Sequence, residues 1–384
     1  MQGEKKFKVK RNVFTPVKII ALCFIFFFSS FIQLDAQHKT KNIFLITLDG
    51  FRWEELFTGA DSSLMNSESG GVQQKNILKK KFWRQTAKKR REALMPFFWN
   101  VLMKNGIVYG NRSLHSDVMV TNKYCVSLPG YAEILSGSAQ PEIINNKPKQ
   151  IQSVTVMEFL KDQLHLAKYK IAVFASWNKF PYVVSKVPGV IYCNAGDTNA
   201  VDGKLTGRQR LLNRLQDEAP SPWDGIRLDA FTFYQGMEFL NKHHPRVFYF
   251  SFDETDDWAH MGRYDRVLEA AHRIDGYLNL LWKWCQSTAQ YRNKTSFILT
   301  TDHGRGGSND DGWKDHGSKI EGSEYIWIAI VGPDTPHLGE LSNTKTVYQK
   351  DIASTLAKLL GYDFKKVSPT CGAFLSHAFE KRIR

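Results

Sequence analysis

The run Ile43-Phe44-Leu45-Ile46-Thr47-Leu48-Asp49 decides how the rest of the chain is read. A continuous, almost wholly apolar run of this length predicts a strand buried on both faces. A carboxylate follows at its C-terminal end, which is where open α/β sheets bind their ligands. One strand ending in Asp says little, because many do. Here the arrangement recurs. Val247–Phe252 runs into Asp253-Glu254-Thr255-Asp256-Asp257-Trp258-Ala259-His260, and Phe297–Thr301 runs into Asp302-His303-Gly304. Further strands are predicted at Ile171–Ser176, Val190–Cys193 and Ile326–Val331. Helices are predicted over Val154–Leu166, Gly207–Asp217, Asp229–Asn241, Arg263–Trp284 and Thr346–Leu360. Strands alternating with helices predict an α/β fold, a three-layer sandwich whose central sheet is mostly parallel, with helices on both faces.

Three strand ends thus deliver carboxylates, two of them with an imidazole nearby. Carboxylate oxygen with imidazole nitrogen, and no thiolate, suits zinc or manganese in a catalytic site. Asp253, Glu254 and Asp257 compete with Asp256, but the four-residue step to His260 places Asp256 and His260 on one helix face. His316, in Trp313-Lys314-Asp315-His316-Gly317, extends the set, with His337 as its rival; Asp310, Asp311 and Asp315 fit less well in their Gly-rich polar loop. The remaining element is Val126-Ser127-Leu128-Pro129-Gly130-Tyr131. A serine in a turn that opens a helix can point its hydroxyl into a cleft, beside backbone N–H groups that hold anions. A metal at that hydroxyl would make it a nucleophile.

The 384 residues, 42% hydrophobic and 23% charged, exclude a collagen, a disordered tail and a disulfide-dense miniprotein. The formal charge of +14, from 52 Lys+Arg against 38 Asp+Glu, points first to nucleic acid or an anionic surface. Its distribution argues otherwise. Residues 1–36 look like a secretory signal peptide, with basic residues from Lys5 to Lys18, an apolar run Ile19–Ile32 and a cleavage site after Ala36. The alternative is an uncleaved anchor. Cleavage removes six basic and two acidic residues and leaves +10. No later stretch reaches the roughly 18 apolar residues of a spanning helix. Residues 37–384 are expected to form a single exported catalytic domain, periplasmic or secreted, with no stable membrane span. Export puts Cys125, Cys193, Cys285 and Cys371 in an oxidising space, where one or two disulfides are possible.

Nine of the remaining charges lie in residues 75–91, which contain no acid, inside a basic helical insertion at about 60–105. Lys81, Arg84, Lys88 and Arg91 are expected on one face of a single helix. The segment reads as a solvated face, or more sharply as an electrostatic guide for an anionic substrate. No nucleic-acid partner is expected, because no recognised module accompanies it. Phe82, Trp83, Phe97, Phe98 and Trp99 offer either core packing or a stacking surface for a base or sugar.

Taken in order, strand–Asp49, Ser127-Leu128-Pro129, Asp256-x-x-x-His260, Asp302-His303-Gly304 and His316 resemble the alkaline phosphatase superfamily. The branch is that of type I phosphodiesterases and nucleotide pyrophosphatases, related to cofactor-independent phosphoglycerate mutases and sulfatases. The resemblance spans about residues 42–362. It implies two divalent metal ions, most readily Zn2+ with Mn2+ as the alternative. Asp49, Asp302 and His303 would hold one, and Asp256, His260 and His316 the other. It also implies Ser127 as the nucleophile, a phosphoseryl intermediate and a small anionic phosphate ester as substrate, either a monoester or a diester.

The chain departs from the pattern in places. The phosphodiesterase branch usually carries Thr where Ser127 stands. Sulfatases carry Arg four residues after their modified residue, where this chain has Tyr131, which disfavours a sulfatase. The branch also has an Asn about twenty residues after the nucleophile that contacts a phosphate oxygen. Asn146 is the first choice, beside Asn145, and Asn122 is another. Lys147 and Lys149 read as surface loop. A phosphomutase, and a non-catalytic binding protein on the same fold, are the other readings.

Overall fold

The computed structural model describes residues 38–379, together with residues 3, 4, 6 and 8. The apolar run Ile19–Ile32 and the expected cleavage site after Ala36 lie outside the described residues. The strands are β1 (Asn42–Leu48), β2 (Gly106–Tyr109), β3 (Val118–Met119), β4 (Ile171–Ala175), β5 (Tyr192–Ala195), β6 (Val247–Phe252), β7 (Thr295–Thr300), β8 (Ile328–Val331), β9 (Gly339–Glu340) and β10 (Val347–Tyr348). Eight of them form one sheet in the order β5-β4-β6-β1-β7-β8-β2-β9, and β10 pairs with β3 in a second. In the large sheet only β8 runs against its neighbours, pairing antiparallel with both β7 and β2. The mostly parallel sheet expected from the apolar runs is therefore present. The four-residue strand β2 and the three short two-residue strands were not expected, because runs so brief carry no periodicity to read.

Helices cover both faces. They are α1 (Trp53–Thr58), α2 (Ser62–Asn66), α3 (Lys75–Phe82), α4 (Ala87–Leu94), α5 (Ser127–Ser136), α6 (Val156–Gln163), α7 (Gly207–Glu218), α8 (Asp229–His243), α9 (Glu254–His260), α10 (Tyr264–Ser287) and α11 (Asp351–Leu359). Successive side chains of a strand point to opposite faces, and the core divides accordingly. Phe44, Ile46 and Leu48 of β1 and Phe248, Phe250 and Phe252 of β6 join one cluster, with Ile274, Leu278 and Leu281 of α10. Ile43 and Leu45, with Val247 and Tyr249, join the other, with Leu128 and Ile134 of α5 and Ile352 and Leu356 of α11. This is the three-layer sandwich.

The basic segment differs from its expectation. Residues 75–91 form not one helix but two, α3 and α4, separated by an extended Trp83 and by Thr86, whose hydroxyl caps α4 by accepting from Lys89 N at 3.3 Å. The break removes the common face proposed for Lys81, Arg84, Lys88 and Arg91. Arg91 instead pairs with Glu340 Oε1 at 2.9 Å and lies 3.6 Å from the centre of the Trp99 ring. Phe82, Phe98 and Trp99 are buried in the core, and Trp83 and Phe97 pack against it. They are packing residues and offer no open stacking surface. No disulfide forms among the described residues: Cys125, Cys193, Cys285 and Cys371 are all free thiols. Among these residues no helix is long and apolar enough to cross a membrane.

Candidate functional site

Strands β6, β1 and β7 lie side by side at the centre of the sheet, with Leu48 opposite Phe252 and Thr47 opposite Thr300. Their carboxyl ends are therefore level. Asp49, the start of α9 and the pair Asp302-His303 emerge next to one another. This is why three segments some 50 to 200 residues apart in sequence deliver their acids to one place. Gly50 follows Asp49 with φ of +55°, and a Cβ there would stand 2.5 Å from Asp256 Oδ1. Only glycine permits both the turn and that approach.

The atoms meet around His303. Its ring is fully buried, and Nδ1 lies 2.9 Å from the Gly304 carbonyl oxygen. That carbonyl can only accept, so Nδ1 carries a proton, and in the neutral ring Nε2 presents a lone pair. Around Nε2 stand Ser127 Oγ at 3.2 Å, Asp49 Oδ1 at 3.4 Å, Asp302 Oδ2 at 3.4 Å and Asp256 Oδ1 at 3.8 Å. Asp49 Oδ1 and Asp302 Oδ2 are buried without any hydrogen-bond partner. Burial first, and Asp256 second, push the Asp49 carboxyl up to about 8. Burial first, and Asp49 second, do the same to Asp302. Three converging acceptor atoms, two of them orphaned and crowded by like charge, fit a divalent cation.

A second cluster adjoins the first. The His316 ring stacks on His303 with centroids 3.7 Å apart, and its Nδ1 lies 3.0 Å from the Cys125 carbonyl oxygen. Its Nε2 therefore also offers a lone pair, 3.0 Å from Nε2 of His260. Burial and then His303 hold the His316 imidazole down to about 2. His260 Nε2 lies 3.2 Å from Asp256 Oδ2, one turn back along α9. Two imidazole nitrogens facing each other beside a carboxylate again fit a cation. Asp256, His303 and His316 also form a three-donor group of their own, so the two expected ligand sets meet at His303. His337 is exposed and belongs to neither group.

Arg305, which no motif marks, also belongs to the site. Its guanidinium is buried, pairs with Asp256 Oδ1 and donates to the Asp256 carbonyl at 3.1 Å and the Lys314 carbonyl at 2.7 Å. Burial alone would raise the Asp256 carboxyl, but Arg305, followed by His260 and His316, holds it well below the usual range. Oδ2 is then the oxygen that faces His260. Burial, followed by Asp257 and Asp49, drives the competing acid Asp253 well up, toward the neutral form.

Ser127 is the first residue of α5 and is buried. Pro129 sits in the first turn, where its missing N–H costs nothing. Gly130 follows because a Cβ there would meet the Asp302 carbonyl oxygen at 2.3 Å. Tyr131, one turn beyond Ser127, donates its hydroxyl to Asp49 Oδ2 at 2.7 Å. The preceding turn is held by Glu133, fully buried, which accepts from Thr121 N, Thr121 Oγ1 and Asn122 N at 2.7–2.9 Å. Neither Glu133 nor Tyr131 carries a spacing signal that marks it.

The two asparagines separate. Asn146 Oδ1 accepts from Leu128 N at 2.9 Å, next to the serine, leaving its amide NH2 as a donor in the cleft it lines. Asn122 donates one amide N–H to Glu133 at 2.9 Å, and its Oδ1 accepts from Cys125 N at 3.0 Å, so it braces the turn before the serine. Lys147 and Lys149 are exposed loop residues.

No family model matches the chain, and no curated protein matches it. Solved structures do. Wild-type alkaline phosphatase PafA is 11% identical, with a TM-score of 0.56 over 90% of this chain and 99% of its own. The phosphonate monoester hydrolase SpPMH from Silicibacter pomeroyi is 11% identical, with a TM-score of 0.57 over 90% of this chain and 78% of its own. The lipoteichoic acid synthase LtaP from Listeria monocytogenes is 12% identical, with a TM-score of 0.52 over 85% and 73%. The chain has the alkaline phosphatase-like fold that these proteins share.

Proposed function

We propose that this chain is an exported, two-metal hydrolase of phosphate esters, monoester or diester, with Ser127 as nucleophile. The observation that carries the reading is the convergence on His303 Nε2 of Ser127 Oγ, Asp49 Oδ1 and Asp302 Oδ2 within 3.4 Å, two of them orphaned carboxylate oxygens. The fold shared with an alkaline phosphatase and a phosphonate monoester hydrolase supports it. Asp49, Asp302 and His303 would hold one ion, and Asp256 through Oδ2, His260 and His316 the other. Zinc suits this mixed carboxylate and imidazole donor set, and manganese is the alternative.

When bound, the ions supply Lewis acidity and positive charge at the phosphoryl group. The chain's own residues do the rest. Ser127 Oγ gives up its proton to solvent and forms the bond to phosphorus while the ester oxygen leaves with its electron pair and takes a proton from solvent, giving a phosphoseryl residue that water then cleaves to serine and phosphate. Asn146 donates its NH2 to a phosphoryl oxygen. Tyr131 and Gly50 N–H, the latter 3.1 Å from Asp302 Oδ1, keep the two carboxylates in orientation. The leader-like sequence at residues 1–36 supports export.

Parallel assays of para-nitrophenyl phosphate, its bis-ester and the corresponding sulfate, with added Zn2+ at alkaline pH, test this reading. Turnover of either phosphate ester above the sulfate supports it. A preference for the sulfate, or no turnover of any of the three, overturns it.

A further inference from the structure

A cleft of ≈ 420 Å³ opens directly beside the serine, with His316 and Asn146 on its wall. Volumes of this order hold a small organic ligand. Part of its lining is unlike the site it adjoins: Tyr124 and Val126 come from the turn before Ser127, Ile144 from the loop after α5, and Ile320 from the loop after His316, facing a polar rim that includes Asn145, Asp315 and Lys319. Ile144 is 48% exposed, although most aliphatic side chains of this domain are buried in its two cores. Tyr124 is half-buried and donates its backbone N–H to Asn122 Oδ1 at 3.3 Å, so the Glu133-braced turn fixes its position.

An apolar wall with an aromatic ring, open to solvent and adjoining the phosphoryl site, favours an apolar partner. We infer that this cleft receives the ester group of the substrate, and that the substrate is a phosphate ester of a compact ring-bearing alcohol rather than of a short polyol. The inference rests on the proposed function, since the phosphoryl group must sit at Ser127 for its ester group to lie here. A ring laid against Tyr124, Val126, Ile144 and Ile320 removes apolar surface from water on both partners. A polyol would leave those side chains facing its hydroxyls.

Two ligands that carry no ester bond separate the ring from the phosphoryl group. Methylphosphonic acid and phenylphosphonic acid are titrated calorimetrically into the full exported chain loaded with Zn2+. The expected result is phenylphosphonic acid binding about tenfold more tightly. Ile144→Ser, a substitution at an exposed position, and Tyr124→Ala should each erase most of that difference while leaving methylphosphonic acid unchanged. Equal binding of the two acids by the wild-type chain, or an undiminished preference in both variants, overturns the ring cleft and leaves the hydrolase reading standing. Failure of both acids to bind overturns the two together.

Discussion

The Tyr131 hydroxyl donates a 2.7 Å hydrogen bond to Asp49 Oδ2, one helical turn after Ser127. The same tyrosine oxygen accepts from Ser251 Oγ at 3.2 Å, so it is fixed from strand β6 as well. One residue therefore ties the helix that carries Ser127, the proposed nucleophile, to the strand end that carries Asp49, a proposed metal ligand. Tyr131→Phe keeps the ring and removes this tie. Partners that orient a ligand typically contribute about ten- to a hundredfold in metal affinity or activity. We expect a loss in that range. The check is the Zn2+ titration of turnover; an identical titration would assign Tyr131 to packing alone.

Arg305 supplies the positive charge that Asp256 has in the absence of an ion. Breaking a buried ion pair by removing one partner costs about 3–5 kcal/mol, because a charge is left uncompensated. Arg305→Met should lower the melting temperature in chelator. It should also make the site more electronegative, so that Zn2+ stabilises the variant more than it stabilises the wild type. Thermal unfolding with and without Zn2+ reads both quantities. An equal Zn2+-induced shift in the two proteins would contradict this role.

Asp275, on the inner face of α10, accepts from Phe97 N at 2.8 Å and Phe98 N at 2.7 Å, where the insertion packs onto the core. Burial raises its carboxyl to about 7, although the two N–H groups oppose the shift. Its folded value lies above its unfolded value, so folding takes up a proton between about pH 4 and 7. Stability from this group is therefore present at the acid end of that window and lost as pH rises through 7. Its amplitude is a few kcal/mol at most. Asp275→Asn should flatten that part of the pH–stability curve, read as the difference in urea midpoint between pH 5 and pH 8. A slope as steep as wild type would show that other groups carry it.

Much of this was legible in the sequence, and for a physical reason. Strands β1, β6 and β7 are buried on both faces, so they appear as unbroken apolar runs whose ends can be counted to a residue or two. The acids after them were visible as departures from those runs. Asp256 and His260 could be paired because a helix step of four fixes their distance, and they stand 3.2 Å apart. What stayed hidden depends on partners far away in sequence. Nothing near Arg305 indicates that its side chain turns onto Asp256, or near Glu133 that it closes the turn at Thr121. The break between α3 and α4 was hidden for the opposite reason: the surrounding lysines and arginines all favour helix, and the extended Trp83 is set by its packing against the core.

In the proposed mechanism Ser127 Oγ attacks, and a different set of residues holds the metal. Ser127→Ala removes one oxygen and leaves Asp49, Asp256, His260, Asp302, His303 and His316 in place. Turnover of the preferred phosphate ester and the metal content of the same sample should be measured together. That mechanism predicts a rate lower by about a thousandfold or more, with two metal ions per chain still bound. Near-wild-type turnover with the metal retained would contradict it.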